Sequence, residues 1–158
     1  MAKAATPVPA GFHTVTAQLI LENAASTIDW YQKAFGAEEL SRALGPDGKV
    51  MHAEIKIGDT IVMVNDAMGG GKSPKTLGGS PASLWIYVPD SDALFGRATA
   101  AGAQVLMPMT DQFWGDRTGT LSDPSGYQWT IATRKEDLTP AEMNHRAEEF
   151  FKQMTQAT

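Results

Sequence analysis

The chain has 158 residues, of which 42% are hydrophobic and 20% charged, a size that suits one domain with a substantial core. It contains no cysteine, which excludes disulfides, thiolate metal sites and a cysteine nucleophile, and its formal charge of −5 argues against a nucleic-acid partner. No apolar run has the length of a membrane span and residues 1–9 do not resemble a signal peptide, so we expect a cytoplasmic protein with no membrane partner.

The first half of the chain predicts the element order β-α-β-β-β. Residues 14–21 alternate between two kinds of side chain, as a half-exposed strand does. Asn23 is placed to cap a helix whose apolar stripe continues at helical spacing to Phe35, and Gly36 follows where a left-handed cap is needed. Further strands are predicted at residues 38–44, 50–57 and 60–65, with a turn at 45–48 between the first two.

Residues 67–82 are predicted to be a flexible linker, because they are rich in glycine and proline and show no periodicity. Gly71-Lys72-Ser73 resembles the end of a phosphate-binding loop, but the glycine required five residues earlier is replaced by Asp66, so we reject that interpretation. After the linker the order β-α-β-β-β returns. Its predicted strands are 83–88, 104–109, 117–122 and 127–133, and its helix begins at Asp90 or Ser91 and ends at Gly102.

The two halves predict an internal duplication. Phe35-Gly36-Ala37 recurs as Ala101-Gly102-Ala103, with a shift of 66 residues. We therefore predict an α+β fold of two tandem βαβββ modules, about 12–66 and 83–134, whose curved mixed sheets surround a cavity within a domain spanning 1–137. Residues 138–158 add a C-terminal amphipathic helix from Pro140 to about Thr155, opened by a capping box at 139–142, which must pack on the body or on a partner.

The two faces of the predicted strands differ in character. One face is aliphatic, as at Leu84, Ile86 and Val88, and is expected to carry the helices. The other face mixes polar and aromatic side chains and either lines a small-molecule cavity or is an ordinary solvated sheet face; Trp85 and Tyr87 favour the cavity. The candidate ligand-binding residues are Thr16, Gln18, His52, Glu54, Met63, Asn65, Ser83, Trp85, Tyr87, Trp114, Arg117, Gln128 and Thr130.

Three of these residues are also catalytic candidates. His52 and Glu54 share one strand face, where His52 is either a general base or ligand contact oriented by Glu54, or half of a hydrogen-bonded polar pair. Arg117 either binds a carboxylate or phosphate, with Trp114 stacking on a planar ligand, or pairs with Asp116 or Asp123 to fix a turn. Trp30 and Trp129 are expected in the core, and His13 and His145 at the surface.

Several motifs resemble the glyoxalase/bleomycin-resistance (vicinal oxygen chelate) superfamily. Residues 28–38 (IDWYQKAFGAE) resemble its helix signature, and residues 45–59, 114–117 and 123–129 resemble its PhnB-like branch. The resemblance implies paired βαβββ modules, often in a dimer, around a cavity. Its enzymes hold a divalent metal with His, Gln and Glu at four strand positions.

Those four positions fall on Thr16, Met63, Ser83 and Thr130, which are poor ligands for a divalent metal. We therefore predict no metal and no cofactor. The sequence favours a metal-free binding protein that forms a homodimer and sequesters a planar or amphipathic small molecule. The alternative is an enzyme of the same fold, lyase-, isomerase- or hydrolase-like, that uses His52, Glu54 or Arg117 or holds a metal in an atypical place.

Overall fold

The computed structural model describes residues 3–156; residues 1–2 of the predicted domain and 157–158 of the predicted C-terminal segment lie outside the described residues. Two βαβββ modules follow one another along the chain, joined by a short helix, and a long helix ends it. Within the described part, no helix is both long and apolar enough to cross a membrane. The elements are β1 (Gln18–Leu21), α1 (Ala24–Phe35), β2 (Glu38–Leu44), β3 (Val50–Ile57), β4 (Thr60–Asp66), α2 (Pro74–Leu77), β5 (Ser83–Tyr87), α3 (Ser91–Ala100), β6 (Gln104–Asp111), β7 (Asp116–Ser122), β8 (Gln128–Arg134) and α4 (Pro140–Gln156).

Each module forms its own four-stranded mixed sheet. The strand orders are β1-β4-β3-β2 and β5-β8-β7-β6, so the first strand of each module lies at an edge beside the last. That edge pair is parallel and the other pairs are antiparallel, because the helix carries the chain across the sheet before the three later strands fold back as hairpins. The predicted α+β fold of two tandem modules is confirmed.

Local signals place the two module helices. The Asn23 side chain accepts a hydrogen bond from the Ser26 N–H at 3.1 Å at the start of α1, and Asp90 does the same for Ala93 at 2.9 Å at the start of α3. Gly36 ends α1 with a φ of 67°, a left-handed conformation that glycine adopts without strain. The caps predicted from sequence at Asn23, Asp90 and Gly36 are confirmed.

A single core joins the inner faces of both sheets. The side chains of Leu21, Ile28, Ile55, Leu121 and Ile131 are fully buried in it. Aromatic rings cross the module boundary, because Tyr31 and Phe35 of α1 contact the Trp129 ring of β8 at centroid distances of 5.6 and 5.0 Å. Trp30 and Trp129 are buried, as predicted.

The ends of α1 and α3 are joined by two reciprocal hydrogen bonds. The Trp30 indole N–H donates to the backbone oxygen of Ala101 at 2.9 Å. The Arg97 Nε donates to the backbone oxygen of Ala34 at 2.9 Å. Each helix thus supplies a donor to the carboxyl end of the other, where backbone carbonyls lack helical partners.

A buried carboxylate fixes the β7–β8 turn to the first module. Asp123 accepts hydrogen bonds from the Tyr31 hydroxyl at 2.6 Å and the Trp129 indole N–H at 2.9 Å. It also accepts from the backbone N–H groups of Ser125 and Tyr127, at 2.9 and 3.0 Å. Burial raises the pKa of Asp123 because the loss of solvation outweighs these four donors.

Some sequence expectations about element bounds are wrong. β1 begins at Gln18 rather than at residue 14, since its pairing with β4 runs only over residues 18–21. The linker contains α2, capped by Ser73 with Pro74 in the first turn, and the Glu22 carboxylate accepts hydrogen bonds from the hydroxyls of Ser73 and Thr76 at 2.5 and 3.0 Å. β6 extends to Asp111, two residues beyond the predicted end.

The aliphatic strand faces are covered less completely than expected. Leu84, Ile86 and Val88 are only half-buried, because they border a cavity between the modules. Met51, which simple alternation assigns to the aliphatic face of β3, is instead 53% exposed, because the register with β2 shifts between Ala43 and Leu44 and buries Val50 in its place. The inner faces of the sheets therefore leave an opening beside β5.

Helix α4 begins at the predicted capping box. The Thr139 N–H and hydroxyl donate to the Glu142 carboxylate at 2.8 and 2.7 Å. No residue of α4 is buried, and its rings meet the body at Phe113, which lies 5.1 Å from Phe150 and 6.4 Å from Phe151 between centroids. The apolar stripe of α4 therefore remains largely exposed on a single chain.

Candidate binding face

The outer faces of the two sheets carry the polar and aromatic side chains that the strand alternation predicted. On the first sheet, Gln18 and Glu54 both lie opposite Met63 in register. The Gln18 Nε2 donates to Asn65 Oδ1 at 2.8 Å. His52 Nε2 lies 3.4 Å from Glu54 Oε1, with both side chains partly exposed. The structure therefore brings these five candidate residues onto one face.

The outer face of the second sheet carries an exposed aromatic pair. The Trp85 and Tyr87 rings are stacked, with centroids 6.0 Å apart and an interplanar angle of 28°. They are 47% and 59% exposed, which is unusual for rings of this size within a sheet. Their exposed surfaces form a flat apolar platform.

A buried carboxylate holds the platform in place. Asp116 accepts hydrogen bonds from the Tyr87 hydroxyl at 2.8 Å and from the Trp114 indole N–H at 3.2 Å, both at Oδ2. The hydrogen bond to Asp116 raises the pKa of the Tyr87 phenol, and burial adds to that rise. Asp116 fixes the orientation of two candidate aromatic residues.

The sequence does not indicate Asp116 as a site residue. It suggests this carboxylate only as a partner for Arg117, its neighbour in the segment 114–117. Strand alternation is the signal that could identify Asp116 as a residue of the outer face. Residue 116 has the same parity as Thr118 and Thr120, which pair with Ala132 and Thr130 of β8.

Arg117 lies away from the platform. Its Nε and one terminal nitrogen donate to Asp92 of α3 at 2.6 and 2.8 Å, and the other terminal nitrogen donates to Asp111 of β6 at 3.1 Å. Hydrogen bonds to these two carboxylates raise the pKa of Arg117. The expected pairing with Asp116 or Asp123 is therefore wrong, since the partners are Asp92 and Asp111. Arg117 does not lie with His52 and Glu54 in one site.

The remaining candidates surround the platform with small neutral groups. Ser83 and Gln128 are opposite each other at one end of the sheet, and Trp85 is opposite Thr130. The Thr130 hydroxyl lies 3.0 Å from the Thr120 hydroxyl, where either group can donate. These groups provide hydrogen-bonding positions without formal charge.

The four positions that hold metal in enzymes of the resembled superfamily do not suit a divalent cation here. Thr16 donates its hydroxyl to the His13 backbone oxygen at 3.2 Å, and Thr130 is bonded to Thr120. Met63 supplies only a thioether and Ser83 only a hydroxyl, whereas such cations require carboxylate or imidazole donors. Among residues 3–156, no three His, Asp or Glu side chains lie close enough together to form a metal site.

Comparison with known proteins identifies the family. The Glyoxalase/Bleomycin resistance protein/Dioxygenase superfamily model matches residues 12–131. An uncharacterized protein of Mycobacterium bovis, Mb0911c, is 49% identical over 118 residues, covering 72% of this chain and 78% of its own length. The chain therefore belongs to the Glyoxalase/Bleomycin resistance protein/Dioxygenase superfamily.

Solved structures share the fold. The crystal structure of TioX from Micromonospora sp. ML1 is 28% identical, with a TM-score of 0.61, and the match covers 80% of this chain and all of that one. The PhnB protein from Bacillus cereus, described as a putative 3-demethylubiquinone-9 3-methyltransferase, is 18% identical with a TM-score of 0.59, and the match covers 77% of this chain and 99% of that one. At that identity the second likeness concerns the fold alone.

Proposed function

We propose that this protein binds and sequesters a planar or amphipathic small molecule without a metal ion. The observation that carries the proposal is the exposed Trp85–Tyr87 platform, held by Asp116 and bordered by neutral hydroxyl and amide groups. Ligand sites are mainly apolar and contain a few placed polar groups, which this arrangement provides. The superfamily hosts many activities, so the proposal depends on the site and not on the fold.

The ligand chemistry follows from the groups that face it. A flat ring stacked on Trp85 would gain about 0.5–1.5 kcal/mol beyond the burial of its area. Each hydrogen bond to Ser83, Gln128 or Thr130 would add about 0.5–1.5 kcal/mol net. The Asp116 carboxylate is bonded to the Tyr87 hydroxyl of the platform and the chain carries a net charge of −5, both of which favour a planar ligand that is neutral or cationic.

We infer that a second copy of the chain closes the site. The two sheets share one core on their inner sides, so Trp85 and Gln18 lie on exposed outer faces, and no sheet formed by residues 3–156 covers them. The exposed stripe of α4, which includes Phe151 and Met154, supplies additional apolar surface for this contact. It lies beside Phe113, whose ring contacts the Phe151 ring. Sedimentation at micromolar concentration tests this inference, and a species of 17.0 kDa alone would contradict it.

Catalysis is the second candidate function, favoured by the His52–Glu54 contact of 3.4 Å on the same outer face. A carboxylate beside an imidazole can orient it as a general base. The two functions differ in one observable, because an enzyme converts its bound compound while a sequestering protein releases it unchanged.

The test uses 9-aminoacridine, a planar cation, titrated into chelator-treated protein while its fluorescence is followed. We expect saturable binding, a loss of at least tenfold in affinity for Trp85→Ala, and a smaller loss for Trp85→Phe. Leu77→Ala removes a comparably exposed apolar side chain away from the platform and should leave affinity unchanged. Equal affinity in the natural protein and Trp85→Ala would refute the proposal, and chemical conversion of bound compounds that is lost in His52→Gln would favour the enzyme.

A further inference from the structure

The cavity between the two modules, of about 280 Å³, lies on the inner side of β5. One wall is formed by residues 84–88, whose consecutive run shows that the cavity follows the free edge of the strand. The opposite wall is the β3–β4 turn at residues 58–60, and Phe35 and Trp129 line the interior. The apolar part of this wall, Leu84, Ile86 and Val88, has the opposite strand parity to the platform, and the cavity meets Trp85 and Tyr87 at the edge of β5.

The parallel strand pairs of the two modules, β1–β4 and β5–β8, correspond to each other with a shift of 67 residues. Gln18 pairs with Met63 in the first module and Trp85 pairs with Thr130 in the second, which gives 85 − 18 = 67 and 130 − 63 = 67. The starts of the helices agree with this shift. The Ala24 N–H donates to Asp66 at 2.7 Å, and the N–H of its counterpart Ser91 donates to Thr133 at 2.8 Å.

In the first module, a tyrosine closes the free edge of β1. The Tyr127 hydroxyl accepts a hydrogen bond from the Ile20 N–H at 3.0 Å and lies 3.3 Å from the Ile20 carbonyl oxygen, to which it donates. One phenol thus satisfies both outward backbone groups of an edge-strand residue, as a neighbouring strand otherwise would.

The equivalent place in the second module is the cavity. With the shift of 67, Ile20 corresponds to Tyr87 and Tyr127 corresponds to Thr60, and both Tyr87 and Thr60 line the cavity. Threonine has no ring to cross the gap, and its hydroxyl donates to Asp59 at 3.1 Å. The space filled by a phenol on one side of the molecule is therefore open on the other.

The backbone of β5 presents the same hydrogen-bonding groups as β1. The Val88 N–H donates to the Ala132 oxygen of β8 at 2.9 Å, so Val88 faces the sheet. Because backbone groups of successive residues point to opposite sides of a strand, the N–H and C=O of Tyr87 point toward the free edge. The hydroxyl group of the Tyr87 side chain donates to Asp116 and so does not contact these backbone groups.

We propose that this cavity binds a small phenol, a single aromatic ring that carries a hydroxyl group. The ring packs among the side chains of Leu84, Ile86 and Leu94, and the hydroxyl accepts from the Tyr87 N–H and donates to the Tyr87 C=O. The ligand takes the place that the Tyr127 side chain occupies against Ile20. Tyr87 borders both this site and the platform, but here the ligand bonds to its backbone groups and not to the exposed face of its ring.

The test is a titration with 4-methylphenol, followed by NMR of the backbone amides and of the methyl groups of residues 62, 84, 86 and 94. We expect saturable shifts at these methyl groups and at the Tyr87 amide, and at least tenfold weaker binding of toluene, which lacks the hydroxyl. Thr60→Tyr supplies the missing ring from the protein itself and should abolish binding while raising the unfolding temperature. Leu77→Ala, which changes an exposed side chain outside the lining of the cavity, should bind as the natural protein does.

Each outcome decides the proposal. Absence of shifts up to the solubility limit, equal binding of toluene, or unchanged binding in Thr60→Tyr would overturn it. Leu94→Trp fills the cavity from α3 and should also abolish binding of 4-methylphenol. This variant checks the position of the bound ligand without any change in the β3–β4 turn. Saturating 9-aminoacridine should leave the 4-methylphenol shifts in place; displacement would assign both compounds to one site and overturn the second site, whereas failure of 9-aminoacridine to bind would affect only the proposed function.

Discussion

Replacing Asp123 with asparagine tests whether its carboxylate holds the two modules together. One carboxylate oxygen accepts from the N–H groups of Ser125 and Tyr127, and the other accepts from the Tyr31 hydroxyl and the Trp129 indole N–H. An asparagine has a single acceptor oxygen, and its amide NH₂ must face one of these two sets of donors. In either orientation, at least one N–H group loses its acceptor inside the protein.

The cost follows from the number of lost acceptors. A buried donor left without a partner costs about 1–3 kcal/mol, and the bonds that remain are weakened because they are no longer made to a charged group. We therefore expect the Asp123→Asn variant to lose about 2–5 kcal/mol of the free energy of unfolding at pH 7. In a protein of this size, each kcal/mol lowers the unfolding temperature by about 2–4 °C.

Urea unfolding followed by circular dichroism and tryptophan fluorescence measures this loss. Asp137→Asn is the matched control, since it makes the same chemical change at a side chain that is 92% exposed and bonded only to Arg134 in the described structure. Tyr31→Phe removes one donor and keeps the carboxylate, so it should cost about 1–2 kcal/mol and remain folded. A loss in Asp123→Asn no larger than that in Asp137→Asn would refute the reasoning.

The pH dependence provides a second measurement on the same pair of proteins. Because burial raises the pKa of Asp123, the folded protein holds this proton more tightly than the unfolded chain. The contribution of this carboxyl to the free energy of unfolding is therefore largest below its ordinary pKa and falls as pH rises through the raised value. The difference in the free energy of unfolding between the natural protein and Asp123→Asn should therefore become smaller as pH rises above about 4. A difference that grows with pH would contradict a raised pKa for Asp123.

Three further predictions concern single contacts. Tyr127→Phe removes the hydroxyl that bridges both backbone groups of Ile20 and should cost about 1–3 kcal/mol in urea unfolding, and no change would show that water replaces it. Hydrogen bonds from Thr139 lower the pKa of Glu142, so the capping box stabilises α4 above pH 4.5, and this stabilisation is lost as pH falls through the lowered pKa. The helical circular dichroism signal should decrease over that pH range in the natural protein but not in Glu142→Gln. Phe113→Ala removes the ring that contacts α4 and should speed proteolytic cleavage within residues 140–156, whereas an unchanged rate would show that other contacts hold the helix.

The sequence predicts the fold well because its strongest signals are local. Asn23, Asp90 and Gly36 are each recognisable from the type of residue and its place beside an apolar stripe, and the structure confirms all three caps. The short helix α2 also carries a local signal, Ser73 followed by Pro74. The many glycines around it nevertheless make the composition of this segment typical of a flexible linker. The Glu22 carboxylate, which accepts hydrogen bonds from Ser73 and Thr76 of this segment, is distant in sequence.

The candidate site is less predictable because its contacts join distant segments. Strand parity predicts correctly that Trp85 and Tyr87 share an outer face. It gives no information on Arg117, whose partners Asp92 and Asp111 lie on two other elements. Asp116 illustrates the same limit, since its role depends on a hydroxyl group 29 residues away.

The exchange of hydrogen bonds between α1 and α3 has the form of contact found between identical subunits. Trp30 and Arg97 occupy equivalent positions, as do their acceptors Ala34 and Ala101, so each half gives to the other what it receives. Both acceptors are backbone carbonyl groups, which every residue possesses. The donor can therefore be an indole in α1 and a guanidinium in α3 without any matching change in the acceptor residue. A surface built in this way is self-complementary, and one module separated from its neighbour would retain the half-interface needed to pair with a copy of itself.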